Sequence, residues 1–246
     1  MGIDTRYWGP SGWQLFHLIA FKSPNPEEIL LLMKDILPCK FCRESTKQYT
    51  HELPLKGDAG KWLYDLHNKV NHKLRTQSKD DPTVINPGTD PSFEDIKKRY
   101  MSLKPTAVPG RDFLFSIAIN YPDEPEPEDM ATHRHFLKLL SETYPFMELR
   151  KVFVDYHDRY TPTLENRRHY MKWMYGLLLL LSKRIGVKIP TYKGYVQRSM
   201  YYKSGCSKKT YKGKTCRKVL GGGLTKNRDN LKTHKVAYSS LIGIGK

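Results

Sequence analysis

An all-α fold is expected from this 246-residue chain on three grounds. Apolar residues recur at three- and four-residue spacing through most of it, the period of a helix buried on one face. No run alternates apolar and polar residues as a half-buried strand does. Pro, Ser and Asp stand where the periodic segments begin and end, as helix boundaries require. Hydrophobic residues make up 39% and aromatics 12%, with 16 tyrosines, so there is material for a core. The length suits one large domain or two small ones.

Taken in order, Ser11 is placed to cap a first helix carrying Trp13, Phe16, His17 and Ala20, which ends near Ser23-Pro24. Pro26 opens a second, with Ile29, Leu30, Met33, Ile36 and Leu37 as its apolar stripe. Pro38 closes that helix and leaves Cys39 at the start of a third, where the helix dipole favours negative charge. Asp58 suits the N-cap of a fourth helix reaching about Arg75, whose Trp62, Leu63, Leu66, Val70 and Leu74 share one face. After a loop rich in Pro, Asp, Gly and Asn, Ser92-Phe-Glu-Asp opens a short fifth helix to about Leu103. These elements make a first unit, residues 1–104.

The Pro and Gly of Lys104–Gly110 mark a boundary. Beyond it lies a second helical domain, residues 105–200, with helices expected around 111–119, 128–143, 145–157, 163–186 and 192–203. No internal repeat is evident. Residues 201–246 form a basic tail, expected to be flexible, with 12 Lys and Arg against one acid, Asp229. It holds +11 of the chain's net +17. Such a block attracts nucleic acid, anionic membrane or acidic partners. The start, Met1 to Trp8, has no apolar secretory segment, and the longest apolar run, Gly176 to Leu181, is too short to span a bilayer. A soluble intracellular protein without a membrane span is expected, a setting in which four cysteines point to catalysis or metal binding rather than a disulfide framework.

The pair Cys39-Lys-Phe-Cys42 carries the chemistry. Two cysteines at this spacing at a helix start can close a small reducible disulfide, and backbone N–H groups there favour a thiolate. The same spacing also serves buried structural thiols or half a zinc site. On the fourth helix His67, Val70, Asn71 and Leu74 fall on one stripe. An imidazole and an amide among apolar side chains suit a large planar ligand with a polar edge, and Lys73 and Arg75 suit a phosphate tail.

Trp8-Gly-Pro-Ser-Gly-Trp-Gln-Leu-Phe-His17, then Cys39-Lys-Phe-Cys42, then His67-Asn-Lys-Val-Asn-His-Lys-Leu74 resembles, in order and spacing, the flavin-linked sulfhydryl oxidases of the Erv/ALR family. The resemblance covers residues 7 to about 103 and looks most like the oxidases of large nucleocytoplasmic DNA viruses, including mimivirus-type proteins. It implies a four-helix bundle with a short fifth helix that holds FAD, usually as a homodimer. It further implies a thiol oxidase acting on thiol-containing client proteins, with molecular oxygen as acceptor and hydrogen peroxide as product. By the same resemblance Trp13 and His17, with His67, Asn68, Val70, Asn71 and Lys73, line the flavin site, and Tyr100 takes the adenine-stacking position that cellular members fill with Trp. Cys42 faces the isoalloxazine and Cys39 the incoming thiol. The host cytoplasm, at the virus factory, and the virion are the expected locations. The competing class is a basic helical scaffold or nucleic-acid-binding protein with a structural cysteine pair.

A second pair, Cys206 and Cys216, sits among lysines in the tail. Positive neighbours lower thiol pKa, so the pair suits a shuttle disulfide relaying electrons from clients to Cys39. Two tail thiols without a relay role are the plain alternative. A zinc site from His133, His135, Cys206 and Cys216 is disfavoured, since no second CxxC supplies compatible ligand spacing.

Overall fold

Asp4, not Ser11, starts the first helix. In the computed structural model, which describes residues 2–81 and 84–204, α1 runs Thr5–Lys22 and the Asp4 carboxylate accepts the Arg6 N–H at 2.9 Å. Ser11 is used elsewhere: its Oγ accepts the N–H groups of Asp112 and Phe113, at 3.2 and 3.5 Å, at the start of α6 (Arg111–Asn120). The N-cap of α6 is Gly110, which has no side chain to cap with, so the hydroxyl comes from a helix a hundred residues earlier.

The remaining helices follow the punctuation of the sequence. α2 spans Glu27–Ile36, α3 Lys40–Glu52, α4 Ala59–Asp80 and α5 Phe93–Ser102. Asp58 caps α4 by accepting from Gly60 and Lys61, and Ser92 caps α5 by accepting from Asp95. α4 continues past Arg75 to Asp80, and the side chain of that arginine holds the following loop, with both guanidinium arms on Asp90. α7 spans Pro127–Thr143, α8 Met147–Arg159, α9 Arg167–Arg184 and α10 Tyr192–Tyr201.

One apolar core runs through both helical units. α1 packs on α4 and α5 on one side and on α6 on the other, while α2 packs between α3 and α7. Phe113 of α6 is driven into α1, with ring centroids 5.7 Å from Trp8 and 5.3 Å from Phe16. Gly12 makes room for it, since a Cβ there would lie 3.1 Å from the Phe113 ring. The Ser23 hydroxyl donates to the Thr143 carbonyl across the same boundary.

Two short strands were missing from the sequence reading. β1 (Gly2–Ile3) pairs antiparallel with β2 (Lys203–Ser204), and Tyr7 stacks on Tyr202 at 4.8 Å. Two residues are too few to show alternation, and the pairing joins opposite ends of the described chain. No described helix is long and apolar enough to cross a membrane. Among the described residues no cluster of His, Cys, Asp and Glu could hold a metal ion. His133 lies against Tyr170 and His135 pairs with Glu28, while Cys206, Cys216 and the basic tail lie outside the described residues.

Gly110 has φ 72°, and a Cβ on it would meet Leu15 Cδ2 at 2.6 Å. Gly110→Ala is therefore expected to destabilise the fold by about 2 kcal/mol, from left-handed strain and the displaced leucine. Ser11→Ala is expected to cost about 1 kcal/mol through the lost α6 cap. Urea titration measures both, and wild-type midpoints would show that this junction contributes nothing.

Candidate active site

Cys39 is the N-cap of α3, and its sulfur accepts the Cys42 N–H at 3.3 Å. Pro38 puts the cysteine there, since the extended conformation it favours in the residue before it ends α2 and turns the chain. Cys39 is buried and Cys42 half-buried. The Cys39 thiol is pulled below its ordinary pKa, chiefly by its hydrogen bond with the Cys42 thiol. Burial opposes the shift, while the N–H groups of Cys42 and Phe41 and the charge of Arg43 reinforce it. A helix start thus favours the thiolate on the first cysteine of the pair.

Both sulfurs wall a cavity of about 190 Å³ between α1, α2, α3 and α4. α3 contributes Cys42, Ser45, Thr46 and Tyr49, and α4 contributes Val70, Lys73, Leu74 and Gln77. Each set has the i, i+3, i+4, i+7 spacing of one helix face. Trp8, Trp13 and Phe16 of α1 close one side and Met33 and Leu37 another. The Lys73 ammonium reaches across to donate to Ser45 Oγ at 2.7 Å. Flat aromatic walls, Lys73, Arg6 paired with Asp4, and two cysteines at the edge suit a planar ring system with redox chemistry and an anionic tail.

A second cleft, about 40 Å³, opens beside the first and shares Pro10 and Trp13 with it. It takes the other face of α4, with Tyr64, His67, Asn68 and Asn71, together with His17 and Tyr100. His17 Nε2 lies 2.9 Å from His67 Nδ1. The indole of Trp13 stacks on His67 at 3.9 Å and Tyr100 stacks on His17 at 4.8 Å. Burial holds His17 well below the ordinary histidine range, helped by the charges of His67 and Arg99, and burial holds His67 down to about 4. Both imidazoles are therefore neutral near pH 7. His17 Nδ1 is buried without a hydrogen-bond partner among the described residues. A buried orphan nitrogen beside a cleft is a ready ligand for a polar edge.

The stripe read from the sequence thus divides. Val70 and Lys73 serve the larger cavity with Trp13, while His17, His67, Asn68, Asn71 and Tyr100 gather at the smaller cleft. Arg75 is not available for a phosphate. It makes a two-armed ion pair with Asp90, at 3.0 and 2.8 Å, and donates to the Gly88 carbonyl. The buried Asn71 donates to the same carboxylate at 2.8 Å. Burial alone would raise the Asp90 pKa, but the bonds from Arg75 and Asn71 outweigh it and hold it low. Ser45, Thr46, Tyr49 and Gln77 were not singled out from the sequence, and Met33 and Leu37 were read only as part of the apolar stripe of α2. The α3 set was visible as a helical stripe running on from Cys42.

The geometry defines a helical protein that presents a dithiol to a deep aromatic cavity. The Erv1/Alr family model matches residues 10–88 and 112–186, and the chain belongs to that family. It is similar to the mitochondrial FAD-linked sulfhydryl oxidase ERV1 of Saccharomyces cerevisiae, at 29% identity over 85 residues, covering 29% of this chain and 45% of that protein. The chain thus spans less than half the length of this relative. No solved structure matches.

The buried His17 and half-buried His67 make stability depend on pH. In the unfolded chain His67 titrates near its ordinary value of 6.5, and in the fold near 4. Above pH 6.5 both states are neutral and stability is full. As pH falls toward 4 only the unfolded state gains the proton, so stability drops, by about 3 kcal/mol for this residue. Unfolding free energies from urea melts at pH 7, 5.5 and 4 measure this. His67→Gln is expected to flatten the acid limb by that amount, and an unchanged slope would exclude His67 as a source.

Proposed function

We propose that the protein is an FAD-linked sulfhydryl oxidase that forms disulfides in thiol-bearing client proteins and passes the electrons to molecular oxygen, giving hydrogen peroxide. The observation that carries this reading is the placement of Cys39 and Cys42 on the wall of the larger cavity. A basic scaffold with a structural cysteine pair has no use for such a cavity. The residues present fit FAD: the apolar walls suit the ring system, Lys73 suits a phosphate, and the orphan His17 nitrogen at the smaller cleft suits a polar edge. When bound, FAD supplies the two-electron acceptor and the link to oxygen.

The thiol steps belong to the chain itself. A client thiolate attacks Cys39 Sγ in the oxidised pair, the bond between the two sulfurs breaks, and Cys42 leaves as thiolate. A second client thiolate then attacks the client sulfur of the mixed disulfide, and Cys39 leaves as thiolate. The client gains a disulfide and the pair holds the two electrons. The lowered pKa of Cys39 helps this second step, because a more acidic thiol leaves faster. Cys42, half-buried on the cavity wall, is placed to hand the electrons inward.

The tail pair Cys206 and Cys216 is proposed as a shuttle between clients and Cys39. What supports it is the anchor at Ser204, held by pairing with Gly2, two residues before Cys206. β1 leads directly into Thr5, Arg6 and Trp8 on the cavity wall. Nucleic acid as a further partner of the tail rests on its charge alone. The viral setting, with host cytoplasm, virus factory and virion as locations, rests on the sequence resemblance.

Purified protein reconstituted with FAD is expected to be yellow and to consume oxygen with dithiothreitol and with a reduced protein. Cys42→Ala is expected to lower both rates by about two orders of magnitude or more. The double variant Cys206→Ala/Cys216→Ala is expected to keep the dithiothreitol rate and lose most of the protein rate. A colourless wild type with no oxygen uptake excludes the oxidase, and a double variant active on both substrates excludes the shuttle.

A further inference from the structure

The second run of helices repeats the first in order and packing. α1 packs on α4 and α5 as α6 packs on α9 and α10, α2 on α3 as α7 on α8, and α3 on α4 as α8 on α9. Local devices repeat too. A proline precedes the N-cap of the third helix in each half, Pro38 before Cys39 and Pro145 before Phe146. A tryptophan of the fourth helix donates its indole N–H to the carbonyl that closes the third, Trp62 to Leu53 at 2.8 Å and Trp173 to Tyr160 at 2.7 Å. The fifth helix starts on a hydroxyl in each half, Ser92 accepting from Asp95 and Thr191 from Gly194. The family match falls on both halves. The repeat that the residues alone did not show is present in the fold.

The second half has lost the chemistry. Phe146 stands at the position of Cys39, and the fully buried Leu149 at that of Cys42. Counting from the paired tryptophans, Leu178 replaces His67 and Ser182 replaces Asn71. Tyr144, Phe153 and Tyr170 are fully buried within this half.

The two halves meet like on like, α1 against α6 and α2 against α7. Equivalent surfaces in mutual contact are the mark of a two-fold interface. Phe113 crosses that interface and packs on Trp8, Gly12 and Phe16, all three of which line the larger cavity. We propose that residues 111–201 are a non-redox copy of the five-helix unit that acts as its two-fold partner within one chain, and that Phe113 is a positioning residue for the cavity wall. The homodimer implied by the sequence resemblance is replaced by an internal pair with one cofactor site. The role of Phe113 rests on the flavin reading; the internal partnership does not.

The full chain, purified and saturated with FAD, decides the matter by light-scattering mass and by flavin released on acid denaturation. A 28.7 kDa monomer with one FAD is expected. A dimer, or two FAD per chain, overturns the internal partnership. Phe113→Ala is expected to raise the FAD dissociation constant about fivefold and to shift the visible flavin band, with helical circular dichroism unchanged. Phe113→Leu keeps most of the volume, guards against loss of fold, and is expected to give the band shift with a smaller change in affinity. Wild-type affinity and band in either folded variant overturn the positioning role. A monomeric wild type that takes up no FAD sinks the oxidase reading and with it the role of Phe113, and leaves the internal partnership standing.

Discussion

Everything in this molecule depends on α1 being buried from two sides. Leu15, Phe16, Leu18 and Ile19 are almost wholly excluded from water, and so are the flanking Tyr7 and Trp8. A surface helix needs one apolar stripe, whereas a helix buried from two sides needs apolar or small residues nearly all round. α1 meets that demand with aromatic bulk toward the cavity and with Gly12 where Phe113 presses in. The same helix therefore walls the cavity, supports the second half through Ser11, and carries His17 to the smaller cleft. A change on either side of α1 reaches the other through close-packed rings.

Near the smaller cleft, polarity is organised around one carboxylate. Asp90 gathers Asn71 and both arms of Arg75, which fastens the loop after α4 back onto it and holds the His67 face in place. Arg75 and Asp90 neutralise each other, so the loop closes without leaving a charge beside the two neutral imidazoles. The dithiol has the opposite arrangement. Its hydrogen bonds and the nearby Arg43 favour negative charge on Cys39 at the point where a leaving thiolate is required. One side of α1 thus keeps its imidazoles neutral, and the other side favours a thiolate.

Much of the first unit was legible in the residues. Pro26, Pro38, Asp58 and Ser92 act locally, through fixed φ angles and caps, and each helix they bound lies where the punctuation put it. The cysteine pair and the α4 stripe were legible for the same reason, since helical spacing alone brings such side chains to one face. Ser11 was misread because its nearest N–H groups along the chain are helical already, and the ones it serves belong to α6. Arg75 looked free for a phosphate because Asp90 lies 15 residues away across a loop.

The sequence by itself determined the helices, the dithiol at a helix start and the imidazole-amide face of α4, because all three follow from local backbone geometry. Only the tertiary structure decided how that face divides between two clefts and that β1 closes on β2. It alone showed that α6 to α10 repeat α1 to α5. These features depend on which surfaces meet, and surfaces can keep meeting through conserved packing and caps after the residues that carried the chemistry, such as those now replaced by Phe146, Leu149 and Leu178, have changed.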